Sequence, residues 1–156
     1  MEDTRYHLAQ INIARALAPL TDPVMDGFVA QIERLNALAE QSVGFIWRLK
    51  ADDGASSSYV RAFEDERELI NMSVWNSLEA LRDYVYRTAH SGAFRDRRNW
   101  FEPLGMPVAA LWWVRAGMLP STAEGRERLD WLARNGPTPY AFTFKQPYQA
   151  PREDSI

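Results

Sequence analysis

The chain has no cysteine. That excludes disulfides, thiol nucleophiles, and zinc or iron–sulfur sites built on thiolates, and it fits a reducing compartment. Basic charge is not in excess: 18 Lys and Arg stand against 21 Asp and Glu, a formal net charge of -3. A protein that neutralises a run of phosphates needs the opposite balance, so nucleic acid is not an expected partner. No apolar run approaches the ~18 residues of a membrane span. The opening MEDTRYHLAQ is acidic and lacks an apolar signal core, so the expected location is the cytoplasm. Glycine is scarce, eight in 156 residues and scattered. No phosphate cradle, dinucleotide fingerprint or nucleophile elbow is spelled out. Histidine is scarcer still, with only His7 and His90, too few to establish a metal site.

Aromatic residues are plentiful: six Trp, six Tyr and seven Phe. Such side chains build cores and line ligand pockets. The length suits one domain, 1–156, with a core over 6–145 and a loose polar tail over 146–156.

Hydrophobic periodicity divides the chain into elements. Tyr6–Ala14 alternates, with Leu8, Gln10, Asn12 and Ala14 on one side and Ala9, Ile11 and Ile13 on the other. Asp22 and Pro23 form a helix start, and Phe28, Ile32, Leu35 and Leu38 recur at helical spacing through Gln41. Val43–Leu49 reads as a second strand and Leu69–Trp75 as a third, joined across a loop that holds Asp-Asp-Gly and a serine run. Ser77 caps a helix with Leu81, Tyr84 and Val85 as its stripe, and a further helical piece spans His90–Trp100. Val108–Arg115 is a fourth strand. Thr122 opens a third helix, with Leu129 and Leu132 on one side, which Asn135-Gly136-Pro137 stops. Tyr140–Phe144 reads as a short fifth strand.

The order β-α-β-β-α-β is the split βαβ, ferredoxin-like plan, an α+β fold with helices on one face of the sheet. Strand one then lies beside strand three. The expected helix-facing sides are the apolar ones: Ile11 and Ile13, with Ile70, Met72 and Val74. The opposite side carries Gln10 and Asn12 next to Asn71, Ser73 and Trp75. Left buried and unpaired, each polar group would cost about 1–3 kcal/mol. Either water solvates this face, or a second subunit or loop encloses it as a cavity lined by amides and indoles, Trp112 and Trp113 included. Arg95, Arg97 and Arg98 are either a solvated helix face or an anchor for a carboxylate such as a haem propionate. His90 either caps locally or supplies a proton or an iron ligand.

The stretches NMSVWNSLEALRDYVYRTAHSGAFRDRRNWF and ALWWVRAGMLPSTAEGRERLDWLARNGPTPYAFTF resemble the family labelled domain of unknown function 3291. The resemblance runs from about Tyr6 to Phe144. It is most specific at Arg98-Asn99-Trp100-Phe101, Leu111-Trp112-Trp113-Val114 and Gly136-Pro137-Thr138. It implies a dimeric α/β barrel and hence a homodimer. The wider superfamily of antibiotic-biosynthesis and haem-degrading monooxygenases is similar at three places. Its haem-degrading members use an Asn on strand one, a Trp closing strand three and a His on the second helix. Asn12, Trp75 and His90 stand in comparable positions here, although an extra helical turn separates Trp75 from His90. The resemblance thus implies an oxidoreductase of monooxygenase type acting on an aromatic or polycyclic substrate, with haem b bound through His90 or with no cofactor. Asn12, Trp75 and His90 would be catalytic, and Gln10, Asn71, Ser73, Trp112, Trp113, Arg97 and Arg98 would bind substrate. The alternatives are a cyclase or isomerase using His90 as acid and base, and a dimer that binds a small molecule without catalysis.

Overall fold

The computed structural model describes residues 5–50, 67–90, 99–103 and 108–151. Strand β1, Tyr6–Ala16, is followed by a single 3-10 turn at Pro23–Met25 and helix α1, Asp26–Glu40. Strands β2, Phe45–Arg48, and β3, Glu68–Trp75, lead into helix α2, Leu78–His90. The two-residue strand β4, Phe101–Glu102, precedes β5, Ala109–Arg115, and helix α3, Thr122–Asn135.

Side-chain caps set the helix starts. Asp22 accepts from the Val24 amide at 2.9 Å, with Pro23 next in the chain. The cap serves the 3-10 turn, so α1 proper begins later than Asp22 and Pro23 suggest. Ser77 accepts from the Ala80 amide at 3.1 Å and Ser121 from the Glu124 amide at 3.0 Å. Each satisfies a donor that a helix start leaves without a partner. Gly136 takes φ 73° and returns its N–H to the Leu132 carbonyl, which ends α3.

All strand pairs are antiparallel. β1 is the centre: β3 lies along one edge, while β5 and the short β4 share the other. β2 borders β3. The spatial order β2-β3-β1-β5, with α1 and α2 as the crossovers, is the ferredoxin-like arrangement. Both crossover helices lie on one face of the sheet, as the split βαβ plan requires.

The structure corrects which face that is. α1 and α2 pack on the side of Leu8, Gln10, Ser73 and Trp75, where Ala39, Leu81 and Tyr84 meet Leu8, Trp75 and Leu111. Ala9, Ile11, Ile13, Ile70, Met72 and Val74, expected beneath those helices, instead pack with Leu129 and Leu132 of α3. The physical reason is coverage. A wholly apolar face needs a continuous lid, and α3 provides it at close range. An ideal Cβ on Gly125 would stand 2.9 Å from both Ile11 Cδ1 and Met72 Cε, so the helix backbone rests almost on the sheet. Over this side Arg128 lies 3.8 Å from the Tyr140 ring centroid and 5.7 Å from that of Trp112. Both faces of the sheet are therefore covered by helices of the same chain.

The Tyr140–Phe144 segment forms no strand. It touches β5 through one bridge, Leu111↔Phe142, whose two backbone bonds measure 2.9 and 2.8 Å. The fully buried Phe142 side chain pins the segment there. The beginning of the expected loose tail is tied down as well, because the Trp113 indole donates to the Tyr148 carbonyl at 2.8 Å.

Candidate functional site

The side chains of β1 and β3 that point toward α1 and α2 follow a simple order along the sheet. Leu8 stands opposite Trp75, Gln10 opposite Ser73, and Asn12 opposite Asn71. One end of this double row belongs to an apolar cluster with Ala39, Leu81 and Phe142. Beyond the amides, Ala16 and Leu69 join a second apolar cluster with Phe28, Ile32 and Trp100. Between the two clusters lies a polar strip of Gln10, Ser73, Asn12 and Asn71.

The strip is hydrogen-bonded within itself. Gln10 Nε2 donates to Ser73 Oγ at 2.8 Å and to Asn71 Oδ1 at 2.7 Å. Asn12 Nδ2 donates to Gln10 Oε1 at 3.2 Å and to Asn71 Oδ1 at 3.4 Å. The Trp75 indole donates to Ser73 Oγ at 2.8 Å. Burial falls along the strip: Ser73 and Gln10 are buried, Asn71 is half-buried, and Asn12 is exposed. Among the described residues, Asn71 Nδ2 and Asn12 Oδ1 have no protein partner. The open end therefore presents one amide donor and one amide acceptor on paired residues.

Trp75 closes the inner end. Its fully buried ring stacks on Tyr84 at 5.2 Å and meets the edge of Phe45 at 5.5 Å. The Tyr84 hydroxyl donates to the Leu35 carbonyl at 3.1 Å, which joins α2 to α1 across the top of the site. Burial pushes the Tyr84 phenol above its ordinary value, while a hydrogen bond with Thr88 and the charge of Arg48 pull the other way. The unfolded chain therefore ionises this group first, from about pH 10 upward, and stability falls as pH rises through that value. Tyr84→Phe removes the titration and the hydroxyl's hydrogen bonds to Leu35 and Thr88, each worth about 0.5–1.5 kcal/mol. The variant should melt below the parent at pH 7, with the gap narrowing above pH 10. A gap that stays constant from pH 7 to 11 in denaturant titrations would contradict the assignment.

Arg48 is part of the same face, a residue that the sequence reading did not single out. It stands opposite Ser73 in the β2–β3 register, and paired residues point the same way. Its side chain is 13% exposed, and its nearest carboxylate is Glu40, at 3.5 Å from Nη2. Among the described residues its Nε and Nη1 are buried without a hydrogen-bond partner, as is Gln31 Oε1 on the flank of the α1 stripe. The available signal was an arginine inside an otherwise apolar strand, VGFIWRL.

The structure gathers Gln10, Asn12, Asn71, Ser73 and Trp75, and separates the rest. Trp113 lies at the Leu8 end of the same face, packed in the cluster with Phe142. Trp112 points the other way and is fully buried beneath α3. His90, the last residue of α2, is exposed; its ring lies 4.1 Å from that of Tyr86, and its Nδ1 is 3.0 Å from the Tyr86 carbonyl. The buried residues of α2 are Leu81 and Thr88, so His90 sits on the helix's solvent side. This arrangement does not fit a haem site, for His90 is not aimed at the strip. Among the described residues no group of three His, Asp or Glu could hold a metal ion. Arg97 and Arg98 lie outside the described residues. No described helix is long and apolar enough to cross a membrane.

No curated protein matches the chain. Several solved structures are similar to the chain. SnoaB, a cofactor-independent oxygenase from Streptomyces nogalater, is 12% identical, with a TM-score of 0.47 over 74% of this chain and 95% of that one. PA3566 from Pseudomonas aeruginosa is 12% identical, with a TM-score of 0.46 over 76% and 99%. NE2512, a protein of unknown function from Nitrosomonas europaea, is 10% identical, with a TM-score of 0.46 over 76% and 99%. The family model described as Domain of unknown function (DUF3291) matches residues 7–156 and takes in every strand and helix described above except the first residue of β1, and the chain belongs to that family.

Proposed function

We propose that this protein is a small-molecule oxidoreductase of monooxygenase type, working on an aromatic or polycyclic substrate bound over Asn12 and Asn71. The observation that carries the reading is the open end of the amide strip. A free donor and a free acceptor stand side by side on a sheet face, flanked on both sides by apolar clusters. Flat rings fit the apolar flanks, and an oxygen substituent fits the amides. Asn71 Nδ2 is available to donate to an oxygen that gains negative charge, the interaction that most lowers a barrier through an enolate.

That chemistry suits a substrate acidic enough to react with dioxygen directly. Anthrone is a suitable probe. Loss of a benzylic proton gives an enolate, and its carbon adds dioxygen to form a peroxide. Loss of water from the peroxide leaves anthraquinone, one dioxygen being consumed for each quinone and each water formed. The protein should accelerate oxygen uptake by anthrone, with one quinone per dioxygen. Asn71→Leu should lower kcat/KM by about 10²-fold, the scale of one lost oxyanion donor. Oxygen uptake no faster than background, for anthrone and for hydroxynaphthalenes alike, would sink the oxygenase reading. Saturable binding without turnover would instead favour the non-catalytic binder.

The homodimer implied by the family resemblance belongs to this proposal. Because α3 covers one sheet face and α1 and α2 the other, the joining surface would be a sheet edge. Light scattering at micromolar concentration reads the mass against the 17.9 kDa chain.

A further inference from the structure

We infer that the bound molecule is an anion whose acidic group is taken by Arg48. This rests on the site proposed above and specifies its ligand. A guanidinium presents five N–H donors and cannot discharge itself by losing a proton. Here the side chain is only 13% exposed, yet its one carboxylate partner, Glu40, lies at 3.5 Å and is itself 42% exposed. Nε and Nη1 are withdrawn from water and have no acceptor among the described residues. A buried charge in that condition is costly to keep unless something with negative charge completes it. Carboxylate is the natural complement, since its two oxygens match two N–H groups of the guanidinium fork.

The position of Arg48 supports the same conclusion. It stands in one row across the sheet with Ser73 and Gln10, facing the helices. The free amide atoms of Asn71 and Asn12 lie in the next row of that face. Strand spacing and rise put the Arg48 and Asn71 backbones about 8 Å apart. A bicyclic aromatic acid spans a length of that order, with its carboxylate at Arg48 and its far ring edge at the amides. The charge of Arg48 also reaches Tyr84, whose ring stacks on Trp75, so the guanidinium borders the aromatic end of the site. No other described arginine combines this face with buried, unpartnered donors: Arg128, the other arginine with a buried orphan nitrogen that holds no ion pair there, belongs to α3 on the far side of the sheet.

The test compares 2-naphthoate with 2-naphthamide by calorimetry on the full chain at pH 7. The two probes share a ring system and differ in charge. The parent protein should bind the acid about tenfold more tightly than the amide, a gap of the size a charge-assisted pair brings. Arg48→Gln should abolish that preference while leaving the amide's affinity within about twofold, and Arg48→Lys should keep part of it. The acid–amide comparison on the parent protein needs no variant, so misfolding of a variant does not blunt the test. Equal affinity for acid and amide, or a preference that survives Arg48→Gln, overturns the inference. In that case amide binding that Asn71→Leu still weakens leaves the site itself standing. If neither probe binds, both the inference and the site reading fall.

Discussion

Trp75→Ala is expected to destabilise the protein by about 3–5 kcal/mol, the range for truncating a buried Trp. The indole is fully buried, and three neighbours depend on it. Tyr84 loses its stacking partner at 5.2 Å, Phe45 its edge contact at 5.5 Å, and Ser73 the hydrogen bond at 2.8 Å. The cavity would open between β3, β2 and α2. A domain of this size is stable by only about 5–15 kcal/mol, so the loss is a large share of the total. At about 2–4 °C per kcal/mol, the melting temperature should drop by roughly 10 °C. Trp75→Phe should recover most of the packing but leave Ser73 without its indole donor, and with it the inner end of the amide strip. Thermal melts of the two variants check this. A loss below about 1 kcal/mol for Trp75→Ala would mean that the inner wall of the site is not packed as described.

Gly44→Ala should cost about 2–4 kcal/mol, far more than its one added methyl suggests. Gly44 turns the chain from α1 into β2 at φ +87°, a conformation that penalises any Cβ. The added Cβ would also fall 2.5 Å from Ala80 Cβ and 2.5 Å from Asn76 Oδ1. The Ala80 methyl is fixed to the first turn of α2 and has no rotamer with which to escape. The Gly44 carbonyl moreover accepts from the Asn76 amide at 2.8 Å, directly after Trp75. Displacing this turn shifts β2 and α2 together, and with them Arg48 and the Trp75 wall. Gly117 is the internal control. It has φ +91° but nothing within 4 Å of an added Cβ, so Gly117→Ala should cost only the backbone preference, about 1 kcal/mol. Denaturant midpoints of the two variants give the comparison. Equal losses would show that the approach of Ala80 and Asn76 does not matter.

Much of the fold was legible from local patterns. The alternation in Tyr6–Ala14 and Leu69–Trp75 marked two strands, slightly shorter than the observed ones, and put Gln10, Asn12, Asn71, Ser73 and Trp75 on one side of them. The caps at Asp22 and Ser77 and the stop at Gly136 depend on one residue and its immediate neighbours, so sequence displays them directly. Element order then pointed to the split βαβ plan. The amide strip belongs to this legible part, because alternation puts its members on one side of two strands that the plan sets side by side, while the exact pairing came from the structure.

What lay beyond the sequence are the relations between layers. Periodicity shows that a strand has two unlike faces, but not which helix covers which. The expectation that the most apolar face meets α1 and α2 failed because α3, later in the chain, took it. Trp112 and His90 left the site for related reasons. Trp112 follows its strand's alternation to the α3 side, and His90 follows the helical period of α2 to solvent. Arg48 entered by a register shift between Phe45 and Trp47. Strict alternation would set Phe45 and Trp47 on one side and Arg48 on the other. With the extra residue at Ile46, Phe45 and Arg48 share the Trp75 and Ser73 side while Trp47 goes under α3. The sequence alone determined the three main helices, the strands of the split βαβ plan, the caps at Asp22 and Ser77 and the shared face of the amides, since each depends on contacts near in the chain or on one strand pairing. Only the tertiary structure decided which face each helix covers and that a charged side chain stands beside the amides, because those depend on how distant segments compete for the same surface.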